Sequence, residues 1–136
     1  MSAVPTPAVP PSSSGSVDLS CLDAQALERL RALDPGGANG LLERVLLAFH
    51  GSAQRLLQQM RDARHAGDAA SVRHVAHTLK SSSASIGALA LSQLCAEVEL
   101  VLRQDGLQAL GDRLDALDRE ARQVLAALAP LATRAT

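Results

Sequence analysis

Aromatic residues are nearly absent from this sequence. Phe49 is the sole aromatic side chain among 136 residues, and the formal net charge is −1. Surfaces that bind nucleic acid normally combine an excess of positive charge with aromatic side chains on which bases stack. The composition therefore gives no case for a nucleic-acid-binding protein, and any basic surface must be local.

Cysteines and long hydrophobic runs are also scarce. Cys21 and Cys95 do not have the spacing of a metal site, and because the chain shows no secretory signal we expect two free thiols. No stretch approaches the ~20 apolar residues of a membrane-spanning helix. We therefore expect a cytoplasmic location, which would equally suit a cytoplasmic domain of a membrane-anchored protein.

The residues that remain are those of a helical protein. Hydrophobic residues make up 47% of the chain and are mostly Leu, Ala and Val at helical spacing, which predicts one all-α domain. Residues 1–17 hold four of the six prolines together with a serine cluster, which is typical of a disordered linker or tail. We expect the bundle to span 18–130 and a short C-terminal tail to follow at 131–136.

Five helices are predicted. Asp23 should cap a short first helix that buries Leu27, Leu30 and Leu33, and Asn39 should cap a second helix over about 40–66. Asp68 should cap a third helix that ends near residue 86. A fourth helix at about 88–104 and a fifth at about 107–129, closed by Pro130, complete the set. Short turns make neighbours antiparallel, so the prediction is an up-down four-helix bundle with a short additional N-terminal helix.

The third helix has two chemically distinct faces. One face is apolar and can pack, while the other leaves an imidazole accessible between positive charges and small side chains. The apolar face consists of Val72, Val75, Leu79, Ser82 and Ile86, and the accessible face of Ala70, Arg73, His74, His77, Lys80, Ser81 and Ala84. A neutral imidazole is a nucleophile near pH 7, and a phosphoryl group on it would add roughly two negative charges. Lys80 can reach such a group, whereas Ser81 and Ala84 give another protein room to approach.

Other chemistries fit these residues less well. His74 and His77 are three residues apart, but neither has an acidic residue three positions before it, so no metal site is expected. A Ser-His-Asp hydrolase needs a cavity with three convergent groups, which a small bundle does not offer. Glu97 and Glu99 fall on different helix faces and do not form a catalytic carboxylate pair, and at least one should be solvated.

The stretch from Ala76 to Ala88 resembles the signature of the histidine-containing phosphotransfer (HPt) domain, A-H-x-L-K-G-S-[SA]-x-x-[LIV]-G-A. The matching residues are Ala76, His77, Leu79, Lys80, Ser82, Ser83, Ile86, Gly87 and Ala88. Ser81 departs from the signature, which usually has Gly there. Its hydroxyl bears on the transfer rate and on the phosphohistidine lifetime.

The resemblance implies a phosphoryl carrier in a bacterial two-component phosphorelay. His77 would accept phosphate from a receiver-domain aspartate and pass it to another receiver, Lys80 would stabilise the phosphoryl charge, and Arg73 would add to the positive field. Ser81 and Ala84 would give clearance for docking. Residues of the second helix, around 42–46, would complete the docking surface.

The resemblance also implies which partners the chain has. These are response-regulator receiver domains, which supply the Mg²⁺, and a hybrid sensor histidine kinase, of which the chain could be the last cytoplasmic domain. The chain would be a monomer with no cofactor, metal, nucleic acid or membrane contact of its own, and no enzyme in its own right. The alternative is an adaptor bundle that binds a receiver or kinase through the same face without phosphorylation, which Ser81 favours.

Overall fold

The computed structural model describes residues 19–135, and every regular element in that range is helical. The predicted linker at 1–17 lies outside the described residues. The helices are α1 (Ala24–Ala32), α2 (Leu41–Ala66), α3 (Ala69–Ser85), α4 (Leu89–Gln104) and α5 (Arg113–Ala135), with 3-10 turns at Pro35–Gly37 and Leu107–Leu110. The prediction of an all-α fold is thus confirmed.

Helices α2 to α5 form a bundle in which neighbours run in opposite directions. Arg64 on α2 pairs with Asp115 on α5 at 2.9 Å, and Arg61 pairs with Asp118 at 3.4 Å. Residue numbers therefore rise along α5 as they fall along α2. The turns at 67–68 and 86–88 reverse the chain before and after α3, which gives the up-down order that the short turns predicted.

Two of the predicted helix caps are confirmed. The Asp23 carboxylate accepts a hydrogen bond from the Ala26 backbone N–H at 3.0 Å, and the Asp68 carboxylate accepts one from Ser71 at 3.1 Å. Each bond pairs a donor that the first turn of a helix leaves without an intrahelical partner.

The predicted cap of α2 is wrong. Asn39 does not cap this helix; instead the buried Asp34 carboxylate accepts hydrogen bonds from the backbone N–H groups of Asn39 at 3.1 Å and Leu41 at 3.0 Å. Gly40 precedes the helix in the left-handed region, at φ 62°. The turn at Pro35–Gly37 folds Asp34 back over the start of α2, so a residue seven positions before Leu41 takes the capping role.

The C-terminal ends predicted for α5 and α1 also need correction. Helix α5 does not close at Pro130 but continues to Ala135, and Leu131 packs into the core with 6% exposure. Pro130 removes one backbone donor, but burial of Leu131 favours continuation of the helix, so residue 131 belongs to the bundle rather than to a tail. Leu33 is 72% exposed, because α1 ends one residue before it.

The core is aliphatic, with Phe49 as its aromatic member. Among its fully buried side chains are Leu46, Val72, Leu79, Ile86, Leu91, Val98, Leu117, Val124 and Leu128. Helix α1 covers the end of the bundle at the α3–α4 turn, where the Asp23 N–H donates to the Gly87 carbonyl at 2.8 Å. No helix within residues 19–135 is both long and apolar enough to cross a membrane.

Candidate functional site

His77 lies in the middle of α3 and points away from the core. Its side chain is 63% exposed, whereas Ala76 and Leu79 on the opposite face are fully buried. The other residues predicted on the accessible face follow the same division: Ala70, Arg73, His74, Ser81 and Ala84 are exposed, and Lys80 is partly exposed. The apolar pattern of α3 thus fixes which side of the helix presents the imidazole.

A glutamate on α4 joins the two central residues of this face. Glu99 Oε2 lies 3.0 Å from His77 Nδ1, and Glu99 Oε1 lies 2.6 Å from Lys80 Nζ. Glu99 itself is only 7% exposed. One buried carboxylate therefore orients the imidazole and pairs with the ammonium group at the same time.

The charge state of Glu99 follows from these contacts. Burial on its own would raise the pKa of this carboxyl, but the hydrogen bonds and charges of Lys80 and His77 outweigh burial and the net shift of its pKa is downward. An ionised carboxylate only accepts hydrogen bonds, which assigns the proton of the neutral imidazole to Nδ1. The lone pair is then on Nε2, the nitrogen directed away from Glu99.

A shallow groove of about 390 Å³ runs beside the imidazole, and its lining consists of Ala70, Arg73, His74, His77 and Glu99. Arg73 forms no ion pair with any residue that the structure describes. A bound anion would therefore meet one unpaired cation here, whereas the charge of Lys80 is already shared with Glu99. Ser81 and Ala84 extend the same face without bulk.

The part of α2 that lies beside His74 is not the predicted segment 42–46. Leu42 lines a groove with Arg31 and Asp34 at the α1 end of the molecule. The α2 residues that share a groove with His74 are Gln59, Asp62, Ala63 and Ala66. Because α2 and α3 run in opposite directions, the middle of α3 meets the second half of α2. The segment 42–46 therefore does not lie beside His74, and its part in docking stays a prediction.

Sequence reasoning missed Glu99. It lies eight residues after the buried Leu91 and four after the buried Cys95, so helical periodicity already places it toward the interior of the bundle. A lone carboxylate at such a position needs a cationic or hydrogen-bonding partner. That signal was present in the sequence, but the identity of the partners required the pairing of α4 with α3.

The two cysteines and the residue types that bind metals give no second candidate site within residues 19–135. Burial raises the pKa of the Cys95 thiol to about 12, and the charge of Glu99 adds to that effect, so the thiol stays protonated. Cys21 is exposed and is not bonded to Cys95. Across residues 19–135, no three His, Cys, Asp or Glu side chains are grouped so that they could hold a metal ion.

Two comparisons with known proteins agree with this geometry. The family model of the Hpt domain matches residues 44–127, more than half of the chain. The fold is similar to the crystal structure of histidine-containing phosphotransfer protein B (HptB) from Pseudomonas aeruginosa PAO1, with a TM-score of 0.73 and 26% sequence identity. That similarity covers 86% of this chain and 98% of the other. No curated protein matches the sequence.

Proposed function

Since the chain belongs to the Hpt domain family, we propose that His77 is its phosphoryl acceptor and donor. Membership gives the chain a histidine phosphotransfer role in two-component phosphorelays, as a carrier rather than a classical enzyme. The observation that carries the assignment is the 3.0 Å contact between Nδ1 and the buried Glu99 carboxylate. It leaves an exposed Nε2 with a lone pair.

The transfer proposed here is an in-line displacement. Nε2 of His77 attacks the phosphorus of an aspartyl phosphate, the N–P bond forms, and the P–O bond to the aspartyl carboxylate breaks with its electron pair. The reverse reaction, on a second receiver domain, returns the phosphoryl group to an aspartate. The imidazole ring gains positive charge in the forward step, and the Glu99 carboxylate beside Nδ1–H stabilises that charge.

The side chains around His77 have two further roles, which are charge stabilisation and clearance for the docking protein. Lys80 stabilises the phosphoryl oxygens, for which its Nζ must share or leave the Glu99 carboxylate that it contacts at 2.6 Å. Arg73 adds an unpaired positive charge across the groove. Ser81 and Ala84 leave room for the backbone of the docking protein.

The proposed partners are receiver domains of response regulators and of a hybrid sensor kinase. The phosphoryl donor and the Mg²⁺ that neutralises its charge would both come from the receiver, so the bundle would need no metal of its own. We propose that the bundle acts as a monomer. Its contribution is an oriented nucleophile on a rigid helix.

The test is transfer of radiolabel from a phosphorylated receiver domain in the presence of Mg²⁺. The unaltered chain should acquire label that is labile in acid and stable in alkali, as expected of a phosphohistidine. His77→Gln should fold normally and acquire none, whereas His74→Gln, three residues away on the same face, should still be labelled. Label retained by His77→Gln would refute the acceptor assignment. Receiver binding without any label would favour the adaptor function.

A further inference from the structure

Helix α4 carries two of the three large hydrophobic side chains that are exposed within residues 19–135. Leu89 is 48% exposed and Leu100 is 46% exposed, while the third, Leu33, lies at the end of α1. Residues eleven apart in an α-helix differ by only about 20° around the axis. The exposed Ala96 falls within about 40° of both. These three residues form one outward stripe, called the α4 stripe below.

The α4 stripe adjoins the phosphotransfer site. Leu100 directly follows Glu99, the residue that contacts His77 Nδ1. Leu89 lies eleven residues earlier, about 16 Å along the helix axis. A protein that brings a phosphoryl group to Nε2 of His77 must cover the surface around it. A standard interface of about 800 Å² per partner reaches roughly 16 Å from its centre.

From this position we propose that the α4 stripe is a docking surface for the receiver domain that exchanges phosphate with His77, a proposal that rests on the function proposed above. Leu100 lies under the centre of such an interface and Leu89 lies near its edge. Leu33, at the end of α1, belongs to a different helix.

Two unpaired cations near the stripe and His77 suit a receiver domain as its occupant. Arg103 follows Leu100 by one turn of α4, and Arg73 faces α4 from α3. Both are exposed, and neither forms an ion pair with any described residue. A receiver domain presents an aspartyl phosphate, an anion that these two cations attract, and it must bring that anion to Nε2 of His77 beside Leu100.

The experiment measures the initial rate of phosphoryl transfer against the concentration of phosphorylated receiver. Leu100→Gln should raise the half-saturating receiver concentration about tenfold and leave the saturating rate nearly unchanged, because docking weakens while the reacting groups stay in place. Leu89→Gln should have a smaller effect. Leu33→Gln, a matched change at a more exposed leucine, should have none.

A second pair of variants guards against an effect on folding. Ala96 and Ala90 are both exposed on α4 but face different directions, so arginine at either position meets solvent rather than the core. Ala96→Arg should block docking by its bulk and Ala90→Arg should not. Phosphoramidate, a small donor that needs no docking surface, should label His77 equally in every variant and show that the site is intact.

Each result decides between distinct conclusions. Unchanged half-saturation in both Leu100→Gln and Ala96→Arg would overturn the docking proposal while the acceptor role of His77 stands. Loss of self-association in Leu100→Gln, with transfer unaffected, would identify a second copy as the occupant and also overturn it. Absence of transfer from any receiver to the unaltered chain, although phosphoramidate labels it, would refute the proposed relay before any substitution is considered.

Discussion

The smallest functional unit of this protein is a set of three side chains, in which the Glu99 carboxylate contacts both His77 and Lys80. Removal of that carboxylate by Glu99→Leu should release Nδ1 and let the imidazole proton move to Nε2, the nitrogen that must carry the lone pair. We expect phosphoryl transfer to slow about tenfold, equivalent to about 1.4 kcal/mol of transition-state stabilisation. Nitrogen-15 NMR of His77 reports the tautomer directly.

The conservative variant separates orientation from charge. Glu99→Gln keeps an oxygen that can accept from Nδ1–H but loses the charge that pairs with Lys80, so it should retain the Nδ1–H tautomer and recover part of the rate. Equal tautomer populations in the unaltered chain, Glu99→Gln and Glu99→Leu would show that Glu99 does not orient His77.

Residue-scale prediction from sequence succeeds where the signal is local. The exposure of His77 followed from apolar neighbours within two helical turns, and the structure shows the expected division of faces. The Glu99 contact joins residues 22 positions apart on two helices, and helical periodicity within α4 carries no information on which α3 residue it meets. The sequence therefore indicated the nucleophile but not the group that orients it.

At the scale of elements, the junction of α1 and α2 depends on one carboxylate. The Leu41 backbone N–H holds the pKa of Asp34 below its usual value of 3.8, with help from Asn39 and against the effect of burial. A depressed native pKa means that the ionised form stabilises the fold above the unfolded-state pKa, and that this stability is lost as pH falls through the native pKa. Asp34→Asn should therefore reduce stability at pH 7 and remove part of its decline below pH 3.8.

The measurement is urea unfolding followed by circular dichroism at pH 7 and at several values below 4. Asp105→Asn is the matched control, since Asp105 is exposed and its carboxylate makes no hydrogen bond with any described residue. Parallel stability curves for the unaltered chain and Asp34→Asn across the acid range would show that the Asp34 carboxylate does not hold this junction.

Helix caps show how far local rules reach. Asp23 and Asp68 were predictable because each accepts from a backbone N–H three residues ahead, the spacing that capping normally uses. Asp34 reaches Leu41 across a segment with three glycines at positive φ, and no local spacing rule predicts that path. The end of α5 was missed for a related reason, since the contribution of Leu131 to the core depends on helices distant in sequence.

For the molecule as a whole, the arrangement of four long helices was predictable because each carries an apolar stripe and short turns leave few topologies. The position at which α1 contacts the bundle could not be predicted in the same way. It depends on Gly87, where an added Cβ would lie 2.8 Å from the backbone N of Asp23 and 3.0 Å from Ala26 Cβ. Gly87 belongs to the motif that suggested the family, yet here it serves the attachment of α1 rather than the chemistry of His77.

Gly87→Ala should therefore lower the free energy of unfolding of the whole molecule more than Gly67→Ala does. Both glycines have positive φ, 85° and 71°, and both substitutions incur a backbone cost of about 1–2 kcal/mol. Only at Gly87 does the new methyl group meet another backbone, which should cost about 1–3 kcal/mol more. Hydrogen exchange should show faster opening of α1 amides in Gly87→Ala alone, while phosphoramidate still labels His77. Equal losses of stability in the two variants, with α1 protected in both, would mean that α1 is held by its contacts with α2 and that Gly87 is needed only for the turn.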